Sequence, residues 1–280
     1  MSQVQIQSSV KKYGIKFSLY IGIFFILIFL ALFLLSFVYP NDPTEFDMTN
    51  RFAMPSRDRL LGTDQFGRDV LARVMHSMRS VFTVGIGSVT VGMVIGTAIG
   101  TIAGASPQWL ERILMSIIDG LIAFPGVLLA MLIVFLVGRG SLNTILAIGI
   151  MMIPVFARLA YSTMLEHQSK LYIKAAVSYG LSKPKIIWNH IFPALLPKII
   201  TQFTSSVAGA ITIESSLSFL GLGIQPPDAS LGLMLREAQQ HVLLYPFQIM
   251  PAGIALIIVV LGFIFVGDAL NDKLTTRRGV

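Results

Sequence analysis

Long apolar runs separated by charged connections are the first pattern along the chain. Six runs approach the roughly 20 residues that a spanning helix needs. The first lies between Lys16 and Asp42, the second from Val81 to Gly104, and the third from just after Asp119 to near Val137. The fourth runs from Leu142 to about Tyr161, the fifth from beyond Lys198 to Leu222 with Glu214 inside it, and the sixth from Phe247 to Val266. The pattern predicts an all-α polytopic membrane protein with six transmembrane helices. The first run is too long for a signal-peptide core and no small-x-small cleavage site follows it, so it reads as a retained anchor. The expected segments are an N-terminal stretch 1–16, an anchor helix 17–39, an external loop 40–78 that contains an amphipathic helix, a five-span core 79–268 and a tail 269–280. Within the core, the connection between the fourth and fifth spans covers about 163–198.

Charge sets the orientation. Lys11, Lys12, Lys16, Lys170, Lys174, Lys183, Lys185, Lys198 and Lys273 all fall on one side of a six-span arrangement. Excess Lys and Arg mark loops retained in the cytoplasm, so both termini are expected there, with the chain in the plasma membrane. The arginine-rich loop between the first two spans runs against that assignment. Composition narrows the class further. Hydrophobic residues make up 54% and charged residues 12% of the 280, and mean hydropathy is +0.76. Soluble domains carry about 25% charge, so lipid is the expected solvent. The net charge of +7 then reads as cytoplasmic loop charge rather than a nucleic-acid surface. With no cysteine there is no disulfide and no thiolate chemistry.

Within the spans, Gly92, Gly96, Gly100 and Gly104 recur at four-residue spacing and make one smooth stripe for close helix packing. Pro125 and Pro154 are expected to interrupt the third and fourth spans. Asp119 and Asp268 fall near cytoplasmic helix ends. Glu214 falls mid-span, so it is expected to face the bundle interior, paired or wet, and is the candidate residue of a substrate pathway.

Two stretches outside the spans have patterns of their own. From Asp69 onward, Val70, Leu71, Val74, Met75 and Met78 share a helical face, with Arg68 and Arg73 expected on the opposite, outer one. Between spans four and five, Tyr172–Tyr179 favours helix, Ala175 and Ala176 offer a small surface, and Gly180 suits a C-cap. Pro184 suits the first turn of a second short helix, which Pro193 is expected to end. A helix–turn–helix of this kind fits a partner's groove, and it fits a plain connector equally well.

Here the residues resemble a family. The segment is similar to the Glu-Ala-Ala loop of ABC-importer permeases, with Ala175, Ala176, Gly180 and Pro193 at matching positions. Lys174 stands where the family has Glu, His190 where it has Ile and Phe192 where it has Leu. LLGTDQFGRDVLARV at 60–74, SLSFLGLGIQPP at 216–227 and GDALNDKL at 267–274 resemble further motifs of the peptide/nickel branch. The likeness covers roughly 58–274 and implies the second permease of a dipeptide, oligopeptide or nickel importer with a type I importer fold. It implies a homologous second permease, two ATPase subunits gripping the loop, and an extracytoplasmic substrate-binding protein. It also implies no catalytic residue and no cofactor in this chain, since ATP is used by the partner subunits. A passive channel would not need the exposed Ala-Ala-Gly helix. An intramembrane enzyme is unsupported, since HExxH, GxGD and GxSxG are all absent, and so is a Walker A motif. Cargo is expected to be small peptides, with nickel or a metal chelate as the alternative. His76 and His241 are too far apart to form a metal cluster, so no metal site is assigned.

Overall fold

The computed structural model describes the backbone of residues 3–278 and the side chains of residues 18–273. The side chains of the expected N-terminal stretch 1–16 and of the far end of the 269–280 tail therefore lie outside the described residues. The described chain is helical, with no strand. That is what an apolar solvent requires, because a helix satisfies its own backbone polar groups without water.

Helix α1 (Gln3–Leu35) lies along the last helix, α11 (Ile249–Arg278). Glycines set that approach from both sides: a Cβ on Gly22 would press on Phe265 and Val266, and one on Gly262 on Phe25 and Ile26. Helices α2 (Val70–Ser80) and α3 (Gly87–Ala105) are joined by a π turn over Val81–Ile86. The amphipathic helix therefore runs into the span without a break. Helices α4 (Gln108–Ile122) and α5 (Gly126–Val137) meet at 92° across Ala123, Phe124 and Pro125. Helix α6 (Ser141–Gln168) runs straight through Pro154, which is buried and does not interrupt it. Beyond it come α7 (Leu171–Ser178), α8 (Lys183–Ile186), a second π turn over Ile187–Ile191, α9 (Phe192–Phe219) and α10 (Leu231–Gln239).

Four stretches are long and apolar enough to cross a membrane: Ser18–Leu35, Val70–Ala105, Ser141–Gln168 and Pro246–Lys273. The bent pair α4–α5 makes a fifth if it is one span. The expected six are not reached by length and composition. Helix α9, expected as the fifth span, is long enough at 28 residues. Its repeated Thr and Ser, with Gln202 and Glu214, leave it too polar to pass. Pro193 also departs from expectation. It sits in the first turn of α9, where a missing N–H is tolerated, and the π turn before it keeps the chain helical from Lys183 onward.

The main core lies where α3, α6, α9 and α11 meet, around Val89, Ile148, Phe156, Val207, Ile211 and Val259. Its tightest seam is α3 against α6. A Cβ at Gly92, Gly96, Gly100 or Gly104 would fall within 3.0 Å of Met152, Ile153, Ala157 or Met164 respectively. The glycine stripe brings the two helices to backbone contact, where dispersion and weak Cα–H contacts replace side-chain interdigitation.

Candidate coupling surface and the buried polar sites

Helix α7 is a short element with an apolar underside. Ile173 and Ala176 face inward and pack with Met164, Ile186 and Ile191 in a small cluster separate from the main core. The two adjacent alanines thus part company: Ala176 is buried and Ala175 is exposed. Lys174, Leu171, Val177 and Tyr179 stand in the open, with Leu171 and Tyr179 82% and 85% exposed, which is unusual for large apolar side chains.

The helix ends in a Schellman motif. The N–H of Leu181 donates to the carbonyl of Ala176 at 3.1 Å, and that of Gly180 to Val177 at 2.9 Å. Gly180 takes φ +77°, the left-handed region that a Cβ disfavours, and a Cβ there would meet nothing within 4 Å. Glycine is needed here for its backbone, not for space.

Polar contacts tie α7 to its neighbours. Tyr172 Oη lies 2.5 Å from Nδ1 of His167, which is buried in the last turn of α6. The half-buried His190 ring sits 6.4 Å from the Tyr172 ring, so the π turn is also within reach. Glu166 accepts from Lys170 at 3.1 Å and from Lys198 at 2.9 Å, linking α6, the start of α7 and the first turns of α9. Behind α7 lies a cavity of about 410 Å³ whose walls include Ala105, Met164, Ile173, Lys174, Lys183 and Ile187. Pro193 is exposed at the start of α9.

Glu214 faces the bundle interior and is paired there. It is 1% exposed and enclosed within this chain. Its carboxylate accepts from Ser218 Oγ at 2.7 Å and Ser215 Oγ at 3.3 Å, and Ser230 also bonds to it. Ser218 Oγ in turn accepts the N–H of Ile224 at 3.0 Å, and Ser230 Oγ caps α10 through the N–H of Leu233. The carboxylate therefore anchors the turn between α9 and α10. Gly223 packs its backbone on Ser218 there, and Gly221 adopts φ +81°.

The segment leading into α2 holds a charge cluster that helical periodicity misplaced. Arg68 and Arg73, expected on the outer face, are only 4% and 1% exposed. Arg68 pairs with Asp64 at 2.7 Å and with Glu237 at 2.8 Å, and Arg73 reaches Glu237 at 3.0 Å and Asp64 at 3.6 Å. Two cations thus balance two carboxylates, as burial of charge demands. Asp69 caps α2 through the N–H groups of Leu71 and Ala72. The available signal was the lone Glu237 in the short amphipathic stretch after the fifth run.

Known proteins bear on this arrangement. The family model for the binding-protein-dependent transport system inner membrane component matches residues 96–280. The glutathione transport system permease protein GsiD of Pectobacterium atrosepticum is 38% identical over 91% of this chain and 85% of its own length. The dipeptide transport system permease protein DppC of Alkalihalophilus pseudofirmus is 36% identical over 83% of this chain and 77% of its own. Among solved structures, an inward-facing form of the MetNI methionine ABC transporter aligns with TM-score 0.58 and 18% identity over 70% of this chain and 93% of that one.

Proposed function

We propose, from the premise that this chain belongs to the family of binding-protein-dependent transport system inner membrane components, that α7 is the surface through which ATP-driven motion enters the membrane. The chain is a permease subunit of an ABC importer, with the type I importer fold. The observation that carries the coupling reading is the Schellman-ended α7, with large apolar side chains left in the open.

The transmission follows from its supports. An ATPase subunit that grips Lys174, Ala175, Leu171 and Tyr179 moves a helix seated on an apolar cluster and bonded to His167. Helix α6 takes up that motion, and the glycine seam carries α3 with it as one unit. Packed elements of this kind shift as rigid bodies, as alternating access requires. Lys174, in the position where the family has Glu, pairs in this reading with an acidic partner surface. His190 and Pro193 belong to the support rather than the contact. The partners are two ATPase subunits that use the ATP, a homologous permease completing the path, and a substrate-binding protein on the outer side. Both termini face the cytoplasm, with Lys170, Lys174, Lys183, Lys185, Lys198 and Lys273 on that side.

Cargo is read as short peptides, in keeping with the dipeptide and glutathione named for the relatives. Co-purification tests the coupling: the wild-type chain brings its ATPase down, and a variant with a distorted α7 does not. An uptake assay in cells lacking this subunit, comparing labelled dipeptide with labelled nickel, tests the cargo.

A further inference from the structure

Arg158 of α6 and Asp119 of α4 form an ion pair at 2.8 Å, with side chains 55% and 58% exposed. Arg158 stands inside the apolar stretch Ser141–Gln168. It lies ten residues before the end of α6, or roughly 15 Å along the helix at 1.5 Å per residue. The 28 residues of α6 span about 42 Å, against an apolar slab of about 30 Å. The apolar run from Leu142 ends near Tyr161, so Arg158 lies just inside that slab, roughly 5 Å from its edge. Asp119 is eleven residues into α4, roughly 16 Å from its start, so both helices put the pair at the same depth. The two ends from which those depths are measured are adjacent, since Gln168 bonds to the carbonyl of Gly104 just before α4. A second link, between Tyr161 and Glu111, holds α4 along α6.

A guanidinium inside the apolar slab is costly against lipid tails, and such groups turn to water or protein instead. Exposed Ser162 continues the same face one turn further toward the end of α6. Arg158, Asp119 and Ser162 thus give this face polar groups beside the exposed Val155 and Leu165.

We propose that Arg158 and Asp119 line the water-filled inner part of the translocation path and engage the two charged ends of a short peptide. The terminal carboxylate goes to the guanidinium and the terminal ammonium to the Asp119 carboxylate. The pair opens to admit the peptide and closes behind it. Each charge-assisted hydrogen bond that breaks within the pair is replaced by one to the cargo, so the site holds peptide weakly and releases it. The proposal rests on the peptide-permease reading.

The chain has no cysteine, so Ser162→Cys gives a single reporter on this subunit. The test uses the whole complex without nucleotide and adds peptide directly, so the binding protein plays no part. A charged, membrane-impermeant thiol reagent is expected to label Ser162→Cys. A dipeptide with free ends should slow that labelling several-fold, and the same dipeptide with acetylated and amidated ends should not. In the isosteric pair Arg158→Gln with Asp119→Asn, labelling should persist and the slowing should vanish. Labelling by lipid-soluble reagents alone overturns the proposal, as does equal slowing by the blocked dipeptide or slowing that survives in the neutral pair. Cell uptake of nickel but not dipeptide by the wild-type chain would sink the cargo reading separately, while the labelling experiment still decides this site.

Discussion

Gln168, in the last turn of α6, donates its side-chain Nε2 to the carbonyl of Gly104 in α3 at 2.6 Å. The bond closes the inner end of a seam in which Gly92, Gly96, Gly100 and Gly104 each rest on α6. Gly100 is the most confined, since its Cβ would overlap the Ala157 carbonyl. Backbone cannot rotate aside as a side chain can. Gly100→Ala should therefore destabilise the folded chain by about 1–3 kcal/mol, and Gly100→Leu should block assembly. By contrast, Gly120→Ala meets open space and serves as the control. Thermal unfolding in detergent separates the two, and equal melting temperatures would refute the seam.

Gly180 separates backbone strain from crowding. With φ at +77° and no atom within 4 Å of a Cβ, Gly180→Val costs roughly 1–3 kcal/mol in strain alone. It should loosen the α7 cap and reduce ATPase co-purification while membrane insertion is preserved. Asn tolerates the left-handed region, so Gly180→Asn should keep most of the binding. Lys174→Ala, which leaves the helix end intact, should be milder than Gly180→Val. Normal ATPase binding and transport in Gly180→Val would leave α7 as a plain connector.

Glu237 neutralises two buried arginines from a helix more than 160 residues away in sequence. Breaking a buried pair by removing one partner costs about 3–5 kcal/mol, because the opposite charge stays buried. Glu237→Ala should lower stability by that order, whereas Arg57→Ala, at an exposed position, should change it little. Chemical unfolding followed by tryptophan fluorescence provides the comparison. A Glu237→Ala chain as stable as the parent would mean that the cluster contributes nothing net.

Glu214 distinguishes a structural carboxylate from one that transport needs. Glu214→Gln keeps an oxygen acceptor for Ser218 and should preserve both stability and uptake. Glu214→Leu removes the acceptor and leaves buried hydroxyls short of a partner, at about 1–3 kcal/mol. Should Glu214→Gln assemble fully and yet fail to transport, the negative charge itself acts in the pathway, and the enclosed position seen here opens during the cycle.

Several of these features could be read along the chain because their causes are local. Hydrophobic runs announce lipid-embedded helices, since backbone hydrogen bonds must close within each segment. Spacing of four puts Gly92 and Gly104 on one stripe, and a glycine after a short helix marks a left-handed cap, as Gly180 adopts. Four motifs in order pointed to the permease family. Where the chain ends a span was less legible. A proline reads the same whether it bends a helix by 92°, as near Pro125, lies inside one, as Pro154 does, or starts one, as Pro193 does. Its effect depends on what neighbouring backbone takes up the lost hydrogen bond.

The sequence by itself determined that this chain is helical and lives in a membrane, because composition and short-range spacing carry that information; its place among importer permeases rested on the resemblance of its motifs to that family. Only the tertiary structure decided that Arg68 and Arg73 are interior. Helical periodicity sees one element at a time, and the carboxylate that makes their burial tolerable sits on α10. The same holds for Glu214, whose serine partners come from its own helix and from the cap of the next, and for the alanine pair, of which only Ala176 finds a cluster to enter. Charge and small size are properties of a residue, but burial belongs to the set of elements that close around it.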